Sequence, residues 1–188
     1  DKDLWKGWNA YSGSGEVTAE VVYANYGRKE DFEKLQDMGI DNSGKIVIAR
    51  YGGNFRGYKA KFAEAAGAAG LIIYTDPIDS GYFKGLTYPE GPYYSESTIQ
   101  RGSLLTEDFT GDPLTPYEPA LPLDGLIKIK RKKPEDAQLH SIPVTPIGYG
   151  AAKEILGQMN GDVVPEGWQG GLPFTYRLQG GSDLKVFL

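Results

Sequence analysis

The stretch 42–76, NSGKIVIARYGGNFRGYKAKFAEAAGAAGLIIYTD, constrains the fold more than any other, because it reads without interruption as strand, glycine turn, helix and strand. Lys45 to Tyr51 is rich in β-branched residues, and the near-continuous Ile46, Val47 and Ile48 predict a strand buried on both faces. Gly52 and Gly53 break it. From Tyr58, the small and apolar residues Ala60, Phe62, Ala63, Ala65, Ala66 and Ala69 predict a helix with one slim face. Gly70 is expected to stop that helix before a second strand, Leu71 to Tyr74. The block is one βαβ unit.

The rest of the chain can be arranged around this unit. With 188 residues and 40% apolar content, one sizeable core and one domain are expected. Thirteen tyrosines, 26 glycines and 12 prolines favour strands and ordered loops over long helices. Residues 1–15, DKDLWKGWNAYSGSG, predict an entering linker, with Trp5 and Trp8 as rings covering the domain edge; the domain proper is expected over 16–188. Val17, Ala19, Val21 and Tyr23 alternate with period two and predict a half-buried strand. Phe32, Leu35 and Met38 recur every three residues within 26–38, with Glu30 and Asp31 early, and predict a short amphipathic helix.

After Tyr74 the pattern dissolves into a proline-rich run to Gly125, whose five tyrosines and two phenylalanines predict an ordered, functional loop region. Leu126 to Lys133, LIKIKRKK, holds five basic residues. The net charge of −5 and the alternation with Ile127 and Ile129 favour an edge strand guarded by lysines over a nucleic-acid surface. A helix is predicted over Tyr149 to Met159. A hairpin is predicted from the runs Phe174 to Leu178 and Leu184 to Leu188.

Chemistry can be tested against the residues present. The chain has no cysteine, which removes disulfides, thiolate zinc sites and a cysteine nucleophile. Its single histidine, His140, reads as a loop or packing residue, and neither an HExxH pair nor a GxSxG elbow is present. Catalysis by this chain alone is not expected. No apolar run approaches the roughly 18 residues of a membrane span. The start at Asp1 and the end at KVFL predict a fragment of a longer protein. YGGNFRG fits no nucleotide-loop pattern, yet a helix N-terminus beside Arg56, Lys59 and Lys61 would favour an anion, a carboxylate more than a nucleotide. The alternative, glycines for the turn and cations for solubility, stands beside it.

The ordered series GKIVIARYG, FRG, AGAAGLIIYTDP, YPEG, QRGSLL, GDPLTP and SIPVTPIGY resembles the protease-associated, or apical, domain of the glutamate carboxypeptidase II and transferrin receptor family over roughly Trp8 to Leu188. The resemblance implies an α/β apical domain with a mixed central β-sheet or open β-sandwich flanked by short helices. It implies a parent in which a separate peptidase domain, the partner of this one, carries two zinc ions. Arg56, at the arginine of FRG, is then expected to bind the C-terminal carboxylate of a peptide substrate. Ser103 replaces an asparagine that helps hold substrate, and Gly53 replaces a lysine, which loosens strict glutamate specificity. Thr115 and Tyr117 match the positions that lend oxygens to a structural calcium, whose carboxylates belong to the peptidase domain. The same resemblance implies an extracellular or periplasmic parent and allows a parent homodimer. Its rival implication is a protein-interaction module of a receptor-like protein without peptidase activity. The absence of cysteine and of N-x-[ST] sequons suits a bacterial relative.

Overall fold

The computed structural model describes residues 6–188; Trp5 lies outside them. The strands are β1 (Asn9–Ala10), β2 (Thr18–Tyr23), β3 (Ile46–Arg50), β4 (Gly70–Tyr74), β5 (Gly102–Ser103), β6 (Gly111–Asp112), β7 (Thr115–Pro116), β8 (Val144–Ile147) and β9 (Lys185–Phe187). The helices are α1 (Lys29–Asp37), α2 (Arg56–Ala65), α3 (Pro77–Ser80) and α4 (Tyr149–Leu156), with a 3-10 turn at Pro134–Asp136. Five strands form the central sheet in the order β8-β4-β3-β2-β9. Its first four are parallel neighbours and β9 runs antiparallel to β2, so the sheet is mixed, as expected.

The βαβ unit sits at the centre. Every residue of β3 and β4 is buried, and their register pairs Ile46 with Gly70 and Ile48 with Ile72. Burying an Ile or Val side chain in full contributes about 1.5–3 kcal/mol, so these two strands carry much of the hydrophobic stabilisation. Gly70 does not end the helix as expected: it opens β4. A Cβ there would stand 2.8 Å from the Leu188 side chain, so the glycine admits the C-terminal strand. The helix ends earlier, at Ala65, and the chain turns through Gly67 at φ +80°.

β2 is buried on both faces over Val21 to Tyr23, more than its alternation predicts: all three side chains join the core cluster, and Tyr23 Oη donates to the Trp168 carbonyl at 2.9 Å. α1 begins at Lys29, where Asp31 accepts from the Arg28 N–H at 2.9 Å and from Asn25 Nδ2 at 3.0 Å. That third-position carboxylate is a capping interaction.

Three expectations are corrected. Part of the segment predicted as a linker is knit into the domain: Asn9–Ala10 pairs with Gly102–Ser103, and Val144 donates its N–H to Ser12 Oγ. The predicted hairpin does not form. β9 instead pairs with β2, and the stretch before it makes only bridges, Gln179 with Val22 and Arg177 with Val163. Leu126 to Lys133 is not an edge strand but irregular chain, with Leu126 fully exposed. Lysine alternation alone supplies no partner strand.

A buried polar knot ties the C-terminal end of β4 to the rest. Asp76 is fully buried and accepts four hydrogen bonds: from Tyr74 Oη at 2.8 Å, Tyr176 Oη at 2.6 Å, Ile78 N at 3.0 Å and Gly171 N at 2.7 Å. It also caps α3 ahead of Pro77. A Cβ on Gly170 would lie 2.1 Å from Asp76 Oδ2, so that glycine makes room for the knot.

Candidate functional site

Arg56 is the first residue of α2, delivered by the turn Tyr51–Phe55 that follows β3. The turn needs its glycines, because Gly52 and Gly53 take φ of +99° and +74°. The half-buried guanidinium lies against the start of β5. Nη2 donates to Gln100 Oε1 at 3.0 Å and Nη1 to the Ser103 carbonyl at 3.4 Å. The rings of Tyr51 and Phe55 lie 5.9 and 5.5 Å from Cζ. Two motif glycines admit this approach: a Cβ on Gly102 would stand 2.4 Å from Arg56 Nη1, and one on Gly57 would stand 2.3 Å from the Leu104 carbonyl.

Two polar atoms at this site are buried and unpartnered among the described residues, Arg56 Nε and Asn9 Oδ1. Asn9 donates through Nδ2 to Gly102 O at 3.3 Å and Tyr51 Oη at 3.4 Å, and Tyr51 Oη donates to the Gln100 carbonyl at 2.8 Å. The structure therefore brings Arg56 and Ser103 together, but through the serine's carbonyl. Its hydroxyl instead accepts from Leu105 N at 3.1 Å. Sequence reasoning missed Asn9, Tyr51 and Gln100. The signal for Gln100 was its place in QRGSLL, two residues before the glycine that the guanidinium covers; Asn9 had none.

The three cations grouped with this turn separate. Lys61 is exposed, whereas Lys59 is fully buried and donates to Tyr26 O at 2.5 Å, Gly52 O at 2.6 Å and Asn54 Oδ1 at 2.6 Å. Burial pushes its pKa down to about 7, with Asp31 opposing and Arg28 and Arg50 adding to the depression. His140 is a packing residue, as read: Nδ1 lies 3.3 Å from Glu64 Oε2, and Nε2 donates to the Leu104 carbonyl at 3.1 Å.

These shifts set a pH dependence. Desolvation raises Tyr26 to about 12 and pushes Tyr23, Tyr74 and Tyr176 further up. A tyrosine whose folded pKa exceeds its unfolded value of 10 stabilises fully below pH 10, and that contribution is lost as pH rises through the folded value. Lys59 has the opposite sign: between about 7 and 10.5 the unfolded chain binds the extra proton, so stability rises with pH there. Urea unfolding from pH 6 to 11 is expected to show stability climbing above pH 7 and falling beyond pH 10. A steady decline from pH 7 to 10 would contradict these assignments.

Thr115 and Tyr117 lie apart from Arg56, on and beside the β6–β7 ribbon. Thr115 is buried with Oγ1 unpartnered, and Tyr117 is exposed with φ +64°. Glu107 Oε1 is likewise buried and unpartnered; desolvation raises its pKa, and Asp112 adds to the rise. These positions offer oxygen atoms alone, the type a hard cation takes, and fewer than the six to eight that calcium takes. Among the described residues no group of three or more His, Cys, Asp or Glu could hold a metal ion. No described helix is long and apolar enough to cross a membrane.

Residues 17–105 match the family model described as PA domain. The chain is 41% identical to a glutamate carboxypeptidase 2 homolog of Caenorhabditis briggsae over 176 residues, covering 91% of this chain and 23% of that protein. It is 39% identical to aminopeptidase NAALADL1 of Rattus norvegicus over 178 residues, 93% of this chain and 23% of that one. It is 33% identical to transferrin receptor protein 2 of Mus musculus over 177 residues, 94% and 21% respectively. The chain thus spans about a quarter of the length of these relatives.

Proposed function

Since this chain is a PA domain related to glutamate carboxypeptidase homologues and aminopeptidases, we propose that it forms one non-catalytic wall of a peptidase's substrate cleft, with Arg56 as anchor for a substrate carboxylate. The observation that carries this reading is the half-held guanidinium: Gln100 and Ser103 take one N–H from each terminal nitrogen, and Arg56 Nε has no partner among the described residues. A planar fork already oriented on one side binds a carboxylate at little further entropic cost. The catalytic centre, with two zinc ions, belongs in this proposal to the remainder of a parent located outside the cytoplasm. The test is competition in that full-length parent by paired ligands, an N-acyl amino acid and its primary amide. The acid is expected to bind tighter, and equal inhibition would sink the anchor role.

The metal part of the proposal is separate. Thr115 Oγ1 and the Tyr117 carbonyl would lend oxygens to a calcium ion whose remaining ligands come from the peptidase domain; the ion would hold the two domains in register. Calorimetry of the 188-residue chain with calcium is therefore expected to show weak binding or none. Tight stoichiometric binding would show that the site is complete here.

One observation favours a second reading, a protein-interaction module like that of a receptor. Tyr82, Phe83, Leu86 and Tyr88 are all exposed on one short loop. The parent's own sequence discriminates: zinc ligands and a catalytic carboxylate outside this domain favour the peptidase, and their loss favours the module.

A further inference from the structure

We propose that Lys59 is the positioning residue of the carboxylate anchor: its three N–H groups clamp the turn before α2 and so fix where Arg56 stands. The inference rests on the reading of Arg56 given above. Lys59 Nζ donates to Gly52 O and Asn54 Oδ1, both upstream of Arg56, from a side chain rooted three residues downstream of it. The anchor is thus bracketed by the two ends of one clamp. A third bond, to Tyr26 O, ties the clamp to the chain that leaves β2.

The turn needs such a device. Gly52 and Gly53 lack the steric limits that hold other residues, and nothing in their own side chains can order them. Below its depressed pKa of about 7 the side chain is an ammonium with three donors and no acceptor, which matches three oxygens converging on one buried point, so the clamp is tested at about pH 6. Burying this cation is costly, and a methionine of similar length would fill the space more cheaply. The charged groups that face it come from each neighbouring element: Asp31 from α1, Arg28 before it, Arg50 from β3 and Asp79 from α3. Asp79 also receives Tyr26 Oη at 2.7 Å and lies 3.5 Å from Arg50 Nη1, so the floor under the turn is itself held.

The test compares Lys59→Met, Asn54→Ala and Arg56→Ala in the full-length parent, using a peptide acid and its amide. Lys59→Met is expected to raise KM for the acid about tenfold with kcat retained and to leave KM for the amide unchanged; Asn54→Ala, which removes one acceptor, gives a smaller rise. In the 188-residue chain, Lys59→Met should speed amide exchange at Gly53, Asn54 and Phe55 while β3 and β4 amides keep their protection. If Arg56→Ala raises KM for the acid and the other two variants do not, the positioning role is overturned. If Arg56→Ala itself changes nothing, the anchor reading fails, and unchanged exchange in the turn would then overturn the clamp as well. Should Lys59→Met not fold, Asn54→Ala decides by the same two readouts.

Discussion

Replacing Asp76 with alanine is expected to destabilise the chain by about 3–5 kcal/mol, a large share of the total stability of a domain. The cause is the loss of an acceptor rather than of volume. Four donors, Tyr74 Oη, Tyr176 Oη, Ile78 N and Gly171 N, would be left facing a buried void. Each unsatisfied buried donor costs about 1–3 kcal/mol, partly offset where water can enter, against a total stability of about 5–15 kcal/mol for a domain. Asp76→Asn should cost less, since one carbonyl oxygen remains to accept. Urea denaturation measures both; a loss under about 1 kcal/mol for Asp76→Ala would mean the knot does not hold the sheet to the C-terminal segment.

Arg56→Ala is expected to act on binding and leave the fold intact. The side chain is half-buried at a helix start, and its deletion frees Gln100 and the Ser103 carbonyl to meet water. A charge-assisted pair with a carboxylate contributes about 1.5–3 kcal/mol, which corresponds to a rise in KM of about 10- to 100-fold for substrates with a free C-terminal carboxylate. The turnover step, carried out by residues outside this domain, should keep its kcat. A variant with unchanged KM for such substrates would exclude Arg56 as the anchor.

The sheet's centre was legible because β-branched continuity and an alanine face are direct consequences of burial. β3 and β4 fall where these patterns place them, and α1, α2 and α4 within a few residues. What failed was pairing. β9 joins β2, at the far end of the chain from it, and no local pattern in Leu184 to Leu188 names that partner over the nearer run at Phe174. The same limit hid β1, two residues in a polar segment ordered by distant partners, β5 more than 90 residues away among them. TDPIDS did carry a readable helix start, an aspartate cap followed by proline, within the region judged patternless.

At the candidate site, Arg56 was found through its motif, whereas the residues that orient it could not be. Gln100 and Asn9 matter only once β5 lies beside the start of α2. Lys59 was misread because a lysine is ordinarily exposed, although it shares the helix face of Ala60 and Ala63, which face the core. Helical spacing, rather than charge, held the correct information there.

Carboxylate recognition by Arg56 can be read from one cycle of kinetics. A peptide acid and its amide are compared in the full-length parent and in its Arg56→Ala variant. The parent is expected to favour the acid by about tenfold or more, and this preference should disappear with the arginine. An acid preference of equal size in both proteins would contradict such recognition.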